Sequence, residues 1–446
     1  MLILGISAFY HDSAATLIKD GKILFAAQEE RFSRIKHDNS FPEKAIKECI
    51  SFCNVKLDQI DYFCFYEKPF LKFSRLINTY FAFAPRGHKS FYEAFKAWTS
   101  KKLFQKKIII ENLYKLGLKK DISKTLLFSE HHISHAASAF YPSPFNSSII
   151  LTMDGVGEYA TSSVGIGENN RLIIDKEIHF PHSLGLLYSA FTYFCGFKVN
   201  SGEYKLMGLA PYGNPSYKKI ILDNLIDIKN DGSFRLNMKY FDYCVGLKMI
   251  NENFCSLFKL KPRQENQEIS EKYLNLAASI QTITEDIILK ITKSAKKNYN
   301  KKNLCLAGGV ALNCVSNGKI IKEGCFENVW VQPAAGDAGG ALGASLYTYH
   351  HVLNHKKKSL KNNDNMNCCY LGPSYDKKSI KKQLTDVGAK FKMLSSKKLI
   401  EATVNELKQQ KIVGWFQGRM EFGPRALGNR SIIADPRSNK MQKKLN

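Results

Sequence analysis

The chain opens with short apolar runs separated by polar turns, and this pattern predicts three consecutive strands at residues 2–8, 14–19 and 22–28. Asp20-Gly21, between the second and third runs, is a good hairpin turn. The same meander of strands returns at residues 148–153, 162–167 and 172–179. Two copies of one meander indicate an internal duplication, and we expect a nucleotide to lie in the cleft between the copies.

Segments with the helical spacing of apolar positions separate these strands. The clearest are residues 41–53, with Pro42 near the first turn, and the long stretch at residues 267–297. Shorter apolar runs predict further strands at residues 59–66, 125–128 and 329–332. Because strands alternate with helices along the chain, we predict an α/β fold.

Several of the predicted strands end in turns that carry glycine and a polar side chain. His11 and Asp12 follow the first strand, Asp154-Gly155 follows the strand at residues 148–153, and Gly308-Gly309 joins a strand to a helix. Backbone amides at such turns and at helix N-termini can bind phosphate, as they do in actin-like and sugar-kinase-like ATPases. Any one glycine-rich turn could equally serve only packing.

A small-residue segment at residues 130–140 is predicted to be a helix, which puts His131 and His135 one turn apart on one face. Asp154 and Asp337 each follow a predicted strand. Two imidazoles with one or two carboxylates suit divalent iron, manganese or zinc. A single His-x-x-x-His pair is more often an ordinary helical pair, but the neighbouring glycine-rich turns favour a metal site.

Length and composition point to a soluble protein of two or three domains. The chain has 446 residues, 44% of them apolar, and no apolar run long enough to span a membrane, so we expect it in the cytoplasm. Its 11 cysteines are scattered without a Cys-x-x-Cys motif, which favours free thiols over a zinc knuckle or a redox site.

The formal charge of +25 is concentrated in part at residues 68–120, where aromatic residues are interleaved with lysine and arginine. A basic, aromatic stretch can bind nucleic acid. Lysine is enriched along the whole chain, however, and we therefore favour a basic helical insertion, an anionic substrate or a polyanionic glycan over nucleic acid.

The polar residues 355–368 predict a linker, and a second unit follows at residues 369–446. In this unit a Gly/Pro-rich turn at residues 418–431 carries Arg419, Arg425 and Arg430. Guanidinium groups match phosphate oxygens, so the turn predicts an anion site, with a salt-bridged surface loop as the alternative. Upstream, the glycine-rich residues 202–213 include Glu203 and Lys205, which are too polar to be only core.

Taken together, these motifs resemble the NodU/CmcH family of O-carbamoyltransferases over nearly the whole chain. The resemblance rests on residues 5–15, 131–135, 202–213, 306–313, 336–339 and 418–431. It implies a duplicated TsaD-like domain of the actin and sugar-kinase class at residues 1–354, with the basic insertion at 68–120. After the linker at 355–368 it implies a YrdC-like α/β domain at residues 369–446.

The resemblance also implies a reaction in two steps. The YrdC-like part combines carbamoyl phosphate with ATP to give carbamoyl-adenylate, and the TsaD-like part transfers the carbamoyl group to an acceptor hydroxyl. The implied metal is Fe2+, the family's usual ion, with His131, His135, Asp154 and Asp337 as ligands. The other implied residues are Gly155, Gly308, Gly309, Asn313 and Gly336 at the nucleotide, Arg419, Arg425 and Arg430 at carbamoyl phosphate, and Glu203 and Lys205 in the substrate cleft.

For catalysis we predict His11 as the general base, oriented by Asp12, although His11 could equally stabilise its turn. The expected acceptor is a sugar-containing molecule, a natural product or a glycan, and a homodimer remains open. Family members continue with a further basic stretch, so we expect the YrdC-like domain to be incomplete. We therefore expect this chain to retain carbamoyl transfer but to form little carbamoyl-adenylate. The alternatives are a tRNA threonylcarbamoyl-transfer enzyme and a non-catalytic nucleotide-binding regulatory protein.

Overall fold

The computed structural model describes residues 1–100, 102–358 and 364–445. The strands are β1 (Leu2–Ser7), β2 (Ala14–Lys19), β3 (Lys22–Gln28), β4 (Tyr62–Phe65), β5 (Leu126–Phe128), β6 (Ser147–Met153), β7 (Ala160–Glu168), β8 (Arg171–His179), β9 (Ile226–Ile228), β10 (Phe234–Leu236), β11 (Asn303–Ala307), β12 (Asn328–Val331), β13 (Val413–Phe416) and β14 (Arg430–Ile433). The helices are α1 (Glu30–Ser33), α2 (Glu43–Phe52), α3 (Pro69–Phe83), α4 (His88–Ser100), α5 (Gln105–Lys115), α6 (His131–Phe140), α7 (Leu184–Phe194), α8 (Glu203–Leu209), α9 (Lys218–Asn224), α10 (Glu252–Phe258), α11 (Glu271–Tyr299), α12 (Cys314–Glu323), α13 (Ala338–Tyr347), α14 (Lys377–Asp386), α15 (Ser396–Lys408) and α16 (Met441–Leu445).

Two five-stranded sheets have the same topology. The first has the order β3-β2-β1-β4-β5, and the second has the order β8-β7-β6-β11-β12. In both, the opening strands are antiparallel and the last three are parallel. This repeat confirms the predicted α/β fold and the predicted duplication of its unit.

Helices α6 and α13 pack against each other between the two sheets. Glycine allows the close approach, because a Cβ on Gly343 of α13 would lie 1.7 Å from the Ser134 carbonyl oxygen of α6. Similarly, a Cβ on Gly5 of β1 would lie 1.9 Å from the Ala341 carbonyl oxygen. Small residues therefore allow α6 and α13 to pack closely against each other, with α13 on β1 and α6 on β6 and β11.

The basic segment at residues 68–120 contains the helices α3, α4 and α5. Their faces are not uniformly solvated. Phe70 and Phe81 are each 72% exposed, whereas Lys72 is almost fully buried. The predicted linker at residues 355–368 includes residues 359–363, which lie outside the described part of the chain.

The residues after the predicted linker contact the first sheet at its β3 edge. The amide of Ala26 on β3 donates to the Leu371 carbonyl oxygen at 3.1 Å. Phe422, in the turn that carries the three arginines, is fully buried, and Arg31 donates to the Gly423 carbonyl oxygen at 2.8 Å. The arginine-bearing turn is thus docked beside the end of β3. Among the described helices, none is both long enough and apolar enough to cross a membrane.

Candidate functional site

A cavity of about 280 Å³ lies between the two halves of the duplicated fold and is called the cleft below. The turn after β1, the turn after β6, the 3-10 turn after β11 and the residues before α13 all contribute to its wall. Of the residues predicted from the sequence, those lining the cleft are His11, Asp12, Asp154, Gly155, Glu203, Gly309, Asn313, Gly336 and Arg425.

Two imidazoles and two carboxylates converge at the inner end of the cleft. His131 Nε2 lies 2.9 Å from Asp154 Oδ2 and 3.6 Å from Asp337 Oδ1. His135 Nε2 lies 3.0 Å from His131 Nε2 and 3.3 Å from Asp154 Oδ2. One ligand atom from each of the four residues lies within 4.8 Å of all the others. Their spacing and their nitrogen and oxygen atoms fit a divalent transition metal ion.

The local folds explain why these side chains meet. His131 and His135 are one turn apart in the first two turns of α6, and Asp337 precedes α13, which packs against α6. Asp154 follows β6, the central strand of the second sheet. His132, between the two imidazoles in sequence, turns away, and its Nδ1 lies 2.9 Å from the Ser163 hydroxyl.

The electrostatics show that this cluster favours positive charge. Burial disfavours the charged form of His131, but the Asp337 and Asp154 carboxylates outweigh it and raise the pKa to about 10. Burial would raise the pKa of the Asp154 carboxyl, yet hydrogen bonds with His131 and His135 hold it well below its ordinary value. Two buried carboxylates need compensating positive charge, which either imidazolium protons or a cation can supply.

His11 and Asp12 lie between this cluster and the open part of the cleft. His11 Nδ1 is 2.9 Å from Asp12 Oδ2, and His11 Nε2 is 3.6 Å from Asp337 Oδ2. Burial lowers the pKa of His11, but the carboxylates of Asp337 and Asp12 outweigh that effect and raise it to about 9. Asp12 has a positive φ of 52°, so its turn aims both side chains into the cleft.

The predicted nucleotide residues form one wall of the cleft. Gly308 has a φ of 84°, and a Cβ there would lie 2.2 Å from the Met153 carbonyl oxygen, so this turn requires glycine. The amide of Gly309 donates to Asp154 Oδ1 at 3.2 Å. Asn313 exchanges hydrogen bonds with the Gln281 side chain at 3.0 and 3.1 Å. Hydrogen bonds thereby connect this wall both to Asp154 of the histidine and aspartate cluster and to α11.

The three predicted arginines have different environments. Arg419 donates to the carbonyl oxygens of Gly372, Leu371 and Leu24. Arg430 donates to three other backbone carbonyls and lies 3.3 Å above the Phe416 ring. Arg425 alone of the three lines the cleft, where its guanidinium lies 5.1 Å from the Tyr204 ring centre. Their role at carbamoyl phosphate stays a prediction.

Glu203 and Lys205 also differ in whether they line the cleft. Glu203 lines the cleft, and its Oε1 accepts hydrogen bonds from the Ser189 hydroxyl at 2.8 Å and the Asn200 amide at 2.9 Å. The Lys205 ammonium lies 6.0 Å from the Phe197 ring centre, and Lys205 is not among the described residues that line the cleft.

Sequence reasoning missed several polar residues around the cleft. His37 Nδ1 lies 2.8 Å from Asp12 Oδ1, so the Asp12 carboxylate bridges two imidazoles. The Tyr66 hydroxyl donates to Asp337 Oδ2 at 3.3 Å. Glu67 and Lys72 form a buried ion pair behind His131. The only signal in the sequence was their polarity next to predicted strands, which does not identify spatial partners.

Comparison with known proteins gives these features a context. The chain is 53% identical over 448 residues to an uncharacterised protein of Synechocystis sp., covering 100% of this chain and 72% of that protein. It is 32% identical over 436 residues to nodulation protein NolNO of Sinorhizobium fredii, covering 97% of this chain and 59% of that protein. Component A of the Acidaminococcus fermentans (R)-2-hydroxyglutaryl-CoA dehydratase, a solved structure, has a TM-score of 0.41 and 14% identity, with 78% of this chain and 98% of that chain covered.

Family models match both parts of the chain. The model described as the carbamoyltransferase N-terminus matches residues 2–346, and the model described as the carbamoyltransferase C-terminus matches residues 404–446. The first match covers well over half of the chain and includes the whole convergent cluster of His131, His135, Asp154 and Asp337. The chain belongs to the carbamoyltransferase family.

Proposed function

We propose that this protein transfers a carbamoyl group from carbamoyl-adenylate to a hydroxyl group of an acceptor, at a divalent metal site in the cleft. The observation that carries the proposal is the convergence of His131, His135, Asp154 and Asp337 beside His11, with His11 and Asp154 lining the cleft. Membership in the carbamoyltransferase family supports the type of group transferred.

The four convergent residues are the proposed ligands of Fe2+. Two imidazole nitrogens and two carboxylate oxygens suit iron, and also manganese or zinc, so the ion is a matter for metal analysis. When bound, the cation would stabilise the negative charge of the leaving phosphate and offset the carboxylates beside His11.

In the proposed transfer step, the acceptor oxygen forms a bond to the carbamoyl carbon. The bond between that carbon and the phosphate oxygen breaks, and AMP leaves with the electron pair. The acceptor proton would pass to Nε2 of His11, whose other ring nitrogen is held by Asp12. Nε2 is free to accept it only when a bound cation offsets the Asp337 carboxylate, which otherwise raises the pKa of His11. Because Asp12 also contacts His37, it has little freedom to rotate, and the imidazole keeps its orientation.

The proposed nucleotide site uses the glycine-rich wall of the cleft. Gly155, Gly309 and Gly336 line it and leave room for backbone approach to a phosphate, while Gly308 sets the course of the turn. The side-chain amide of Asn313, at the end of the 3-10 turn, is the proposed hydrogen-bonding group for the ribose or the base. Arg425 and Lys36 add positive charge to the same cavity.

We further propose that the carbamoyl-adenylate is made from carbamoyl phosphate and ATP, with Arg419, Arg425 and Arg430 near carbamoyl phosphate. Of these three arginines, only Arg425 lines the cleft. The acceptor is proposed to be a sugar-containing molecule or a natural product, since Glu203, Asp12 and Glu30 offer carboxylates that can accept hydrogen bonds from several hydroxyl groups.

The test supplies carbamoyl-adenylate to the Fe2+-loaded protein with a panel of hydroxyl-bearing acceptors, among them aminoglycosides and chitooligosaccharides. Mass spectrometry should detect a carbamoylated acceptor together with stoichiometric AMP. Asp154→Asn should abolish both products, whereas Lys205→Gln, outside the cleft lining, should retain them. AMP release without dependence on any acceptor, at the same rate in the Asp154→Asn variant, would contradict the proposal.

A further inference from the structure

A buried ion pair lies directly behind the proposed metal site. Glu67 follows β4, and Lys72 belongs to the first turn of α3. Their side chains are 3% and 5% exposed, and the Lys72 ammonium donates to Glu67 Oε2. Burial of such a pair has a large desolvation cost, which often makes it no better for stability than apolar side chains of similar size.

The same Glu67 oxygen faces the ring of His131. Glu67 Oε2 lies 3.8 Å from His131 Nδ1, on the opposite side of the imidazole from Asp154 and His135. At this distance the contact is an ion-pair separation and not a hydrogen bond. His131 Nδ1 is buried and has no hydrogen-bond partner among the described residues, so Glu67 is the group best placed to stabilise a proton there.

We infer that Glu67 is a positioning residue for the metal site, acting through His131. Its carboxylate holds the proton of His131 on Nδ1, which leaves the lone pair of Nε2 free for a cation and orients the ring. Lys72 fixes the Glu67 carboxylate and balances its charge inside the protein. The inference rests on the proposed metal site, but it concerns this chain's own side chains and does not depend on the acceptor or on carbamoyl transfer.

The ring of His135 has different surroundings from that of His131. His135 Nδ1 is also buried without a hydrogen-bond partner, but its only ion-pair contacts among the described residues run through Nε2 to Asp154 and Asp337. No comparable carboxylate faces the rear of that ring in the described part of the chain. Loss of Glu67 should therefore affect one imidazole ligand and leave the other unchanged.

The primary experiment measures metal affinity by titration of the metal-free protein with Zn2+ and with Co2+. Glu67→Gln should weaken binding by about 10- to 100-fold, the usual effect of removing a carboxylate behind a ligating histidine. The Co2+ absorption spectrum should also change, because the His131 ring is no longer held in one orientation.

Glu158 provides a matched control. It is a buried carboxylate that also contacts His131, but its two oxygens accept from the backbone amide of His131, each at 3.0 Å. Glu158→Gln retains an acceptor for that amide and does not change the contacts of the His131 imidazole. We expect its metal affinity and Co2+ spectrum to match those of the unmodified protein, even if it unfolds at a lower temperature.

Glu67→Gln leaves Lys72 buried without its partner, and this variant could fail to fold. The double variant Glu67→Gln, Lys72→Met removes both charges and should fold while still binding metal more weakly. If this folded double variant bound Zn2+ and Co2+ as tightly as the unmodified protein, the inference would be wrong. Failure of the unmodified protein to bind either ion would instead contradict the proposed metal site.

A measurement on the unmodified protein covers the case in which neither variant folds. In the Zn2+-loaded protein with 15N-labelled histidine, we expect His131 to bind the ion through Nε2 and to show a proton on Nδ1. Histidine signals that place no such proton on Nδ1 of His131 would overturn the inference.

Discussion

At the scale of single residues, neighbouring histidines on α6 differ sharply in environment. His135 Nε2 is 3.3 Å from Asp154 Oδ2, whereas His132 faces Ser163 on β7. His135→Ala should lower metal affinity by at least about 100-fold, a larger effect than loss of a group behind a ligand. His132→Ala should leave metal affinity within about 3-fold and reduce only stability, as expected for truncation of a buried side chain.

Metal content after dialysis and a Zn2+ titration would check this pair of variants. Circular dichroism and thermal unfolding would show that both remain folded. Full metal occupancy in His135→Ala would remove His135 from the proposed ligands. Loss of metal in a folded His132→Ala would contradict the expectation that His132 is dispensable for metal binding.

His350 predicts how stability depends on pH. Its ring stacks on Tyr141 with a centroid distance of 4.6 Å, and its Nδ1 lies 2.9 Å from the His355 carbonyl oxygen. Burial lowers the pKa of His350 to about 4. Because the unfolded chain takes up the proton near its ordinary pKa, this stabilising contribution is present above pH 6.5 and is lost as the pH falls toward 4.

Between pH 7 and pH 5 the loss should be about 2 kcal/mol in the free energy of unfolding. Urea unfolding at the two pH values would measure it. His350→Gln keeps a side-chain donor but does not titrate, so its free energy of unfolding should fall by about 2 kcal/mol less than that of the unmodified protein. Equal falls in both proteins would show that His350 is not the group responsible.

The polar motifs of the sequence predicted many of the residues that line the cleft, but Lys205, Arg419 and Arg430 are not among them, and several partners were not predicted. His131, His135, Asp154 and Asp337 lie together because the first two turns of α6, the turn after β6 and the residue before α13 meet at one place. Lys72 belongs to a basic run that looks like a solvated helix face, and its contact with Glu67 depends on how α3 packs. A guanidinium on a glycine-rich turn can likewise bind carbonyl oxygens or phosphate, and sequence does not separate the two.

At the scale of elements, the repeated meander predicted the duplication, since alternating apolar runs are directly visible in both copies. Element ends were less predictable. The run at residues 59–66 shortens to β4 (Tyr62–Phe65), because residues Leu57–Gln59 form a 3-10 turn in which Gln59 caps the backbone amide of Lys56 at 2.8 Å. Such local hydrogen bonds compete with a strand and are not visible in an apolar pattern.

The close packing of α6 on α13 predicts a defect in the site from a mutation outside it. A Cβ on Gly343 would lie 1.7 Å from the Ser134 carbonyl oxygen, so Gly343→Ala must push the helices apart. We expect a loss of about 1–3 kcal/mol in the free energy of unfolding. Metal affinity should fall as well, because Asp337 would move away from His131 and His135.

Gly318 on α12 is the matched control, since a Cβ there meets nothing within 4 Å. Gly318→Ala should stabilise the protein by about 0.5–1 kcal/mol, because alanine favours a helix over glycine. Chemical denaturation with parallel Zn2+ titrations would compare the two variants. Unchanged metal affinity in a destabilised Gly343→Ala would mean that the site does not depend on the helix spacing.

At the scale of the whole molecule, Arg419 and Arg425 predict separable effects from one turn. Arg419 joins residues 371–372 to the β3 edge of the first sheet through the Leu24 carbonyl oxygen. Arg419→Met removes these hydrogen bonds and should increase backbone hydrogen exchange across residues 418–431. Arg425→Gln changes only a side chain at the cleft, so exchange should stay unchanged while affinity for ATP falls about 10-fold, as for loss of a charged hydrogen bond.

Hydrogen-exchange mass spectrometry and nucleotide titration on both variants would make this comparison. If Arg425→Gln increased exchange as strongly as Arg419→Met, the two arginines would share a structural role. Unchanged nucleotide affinity in Arg425→Gln would exclude this side chain from the nucleotide's surroundings.

The duplicated topology also bears on how the cleft can treat the two ends of a bound molecule. The turn after β1 and the turn after β6 occupy equivalent positions in the two halves, as do helices α6 and α13. Each half therefore presents one turn and one helix start across a pseudo-twofold axis. The equivalent positions carry different chemistry, with His11 opposite Asp154 and two histidines opposite Asp337. A symmetric cleft would offer the same groups to both ends of a bound molecule. Because the groups differ here, the cleft favours one orientation of the bound molecule over the reverse.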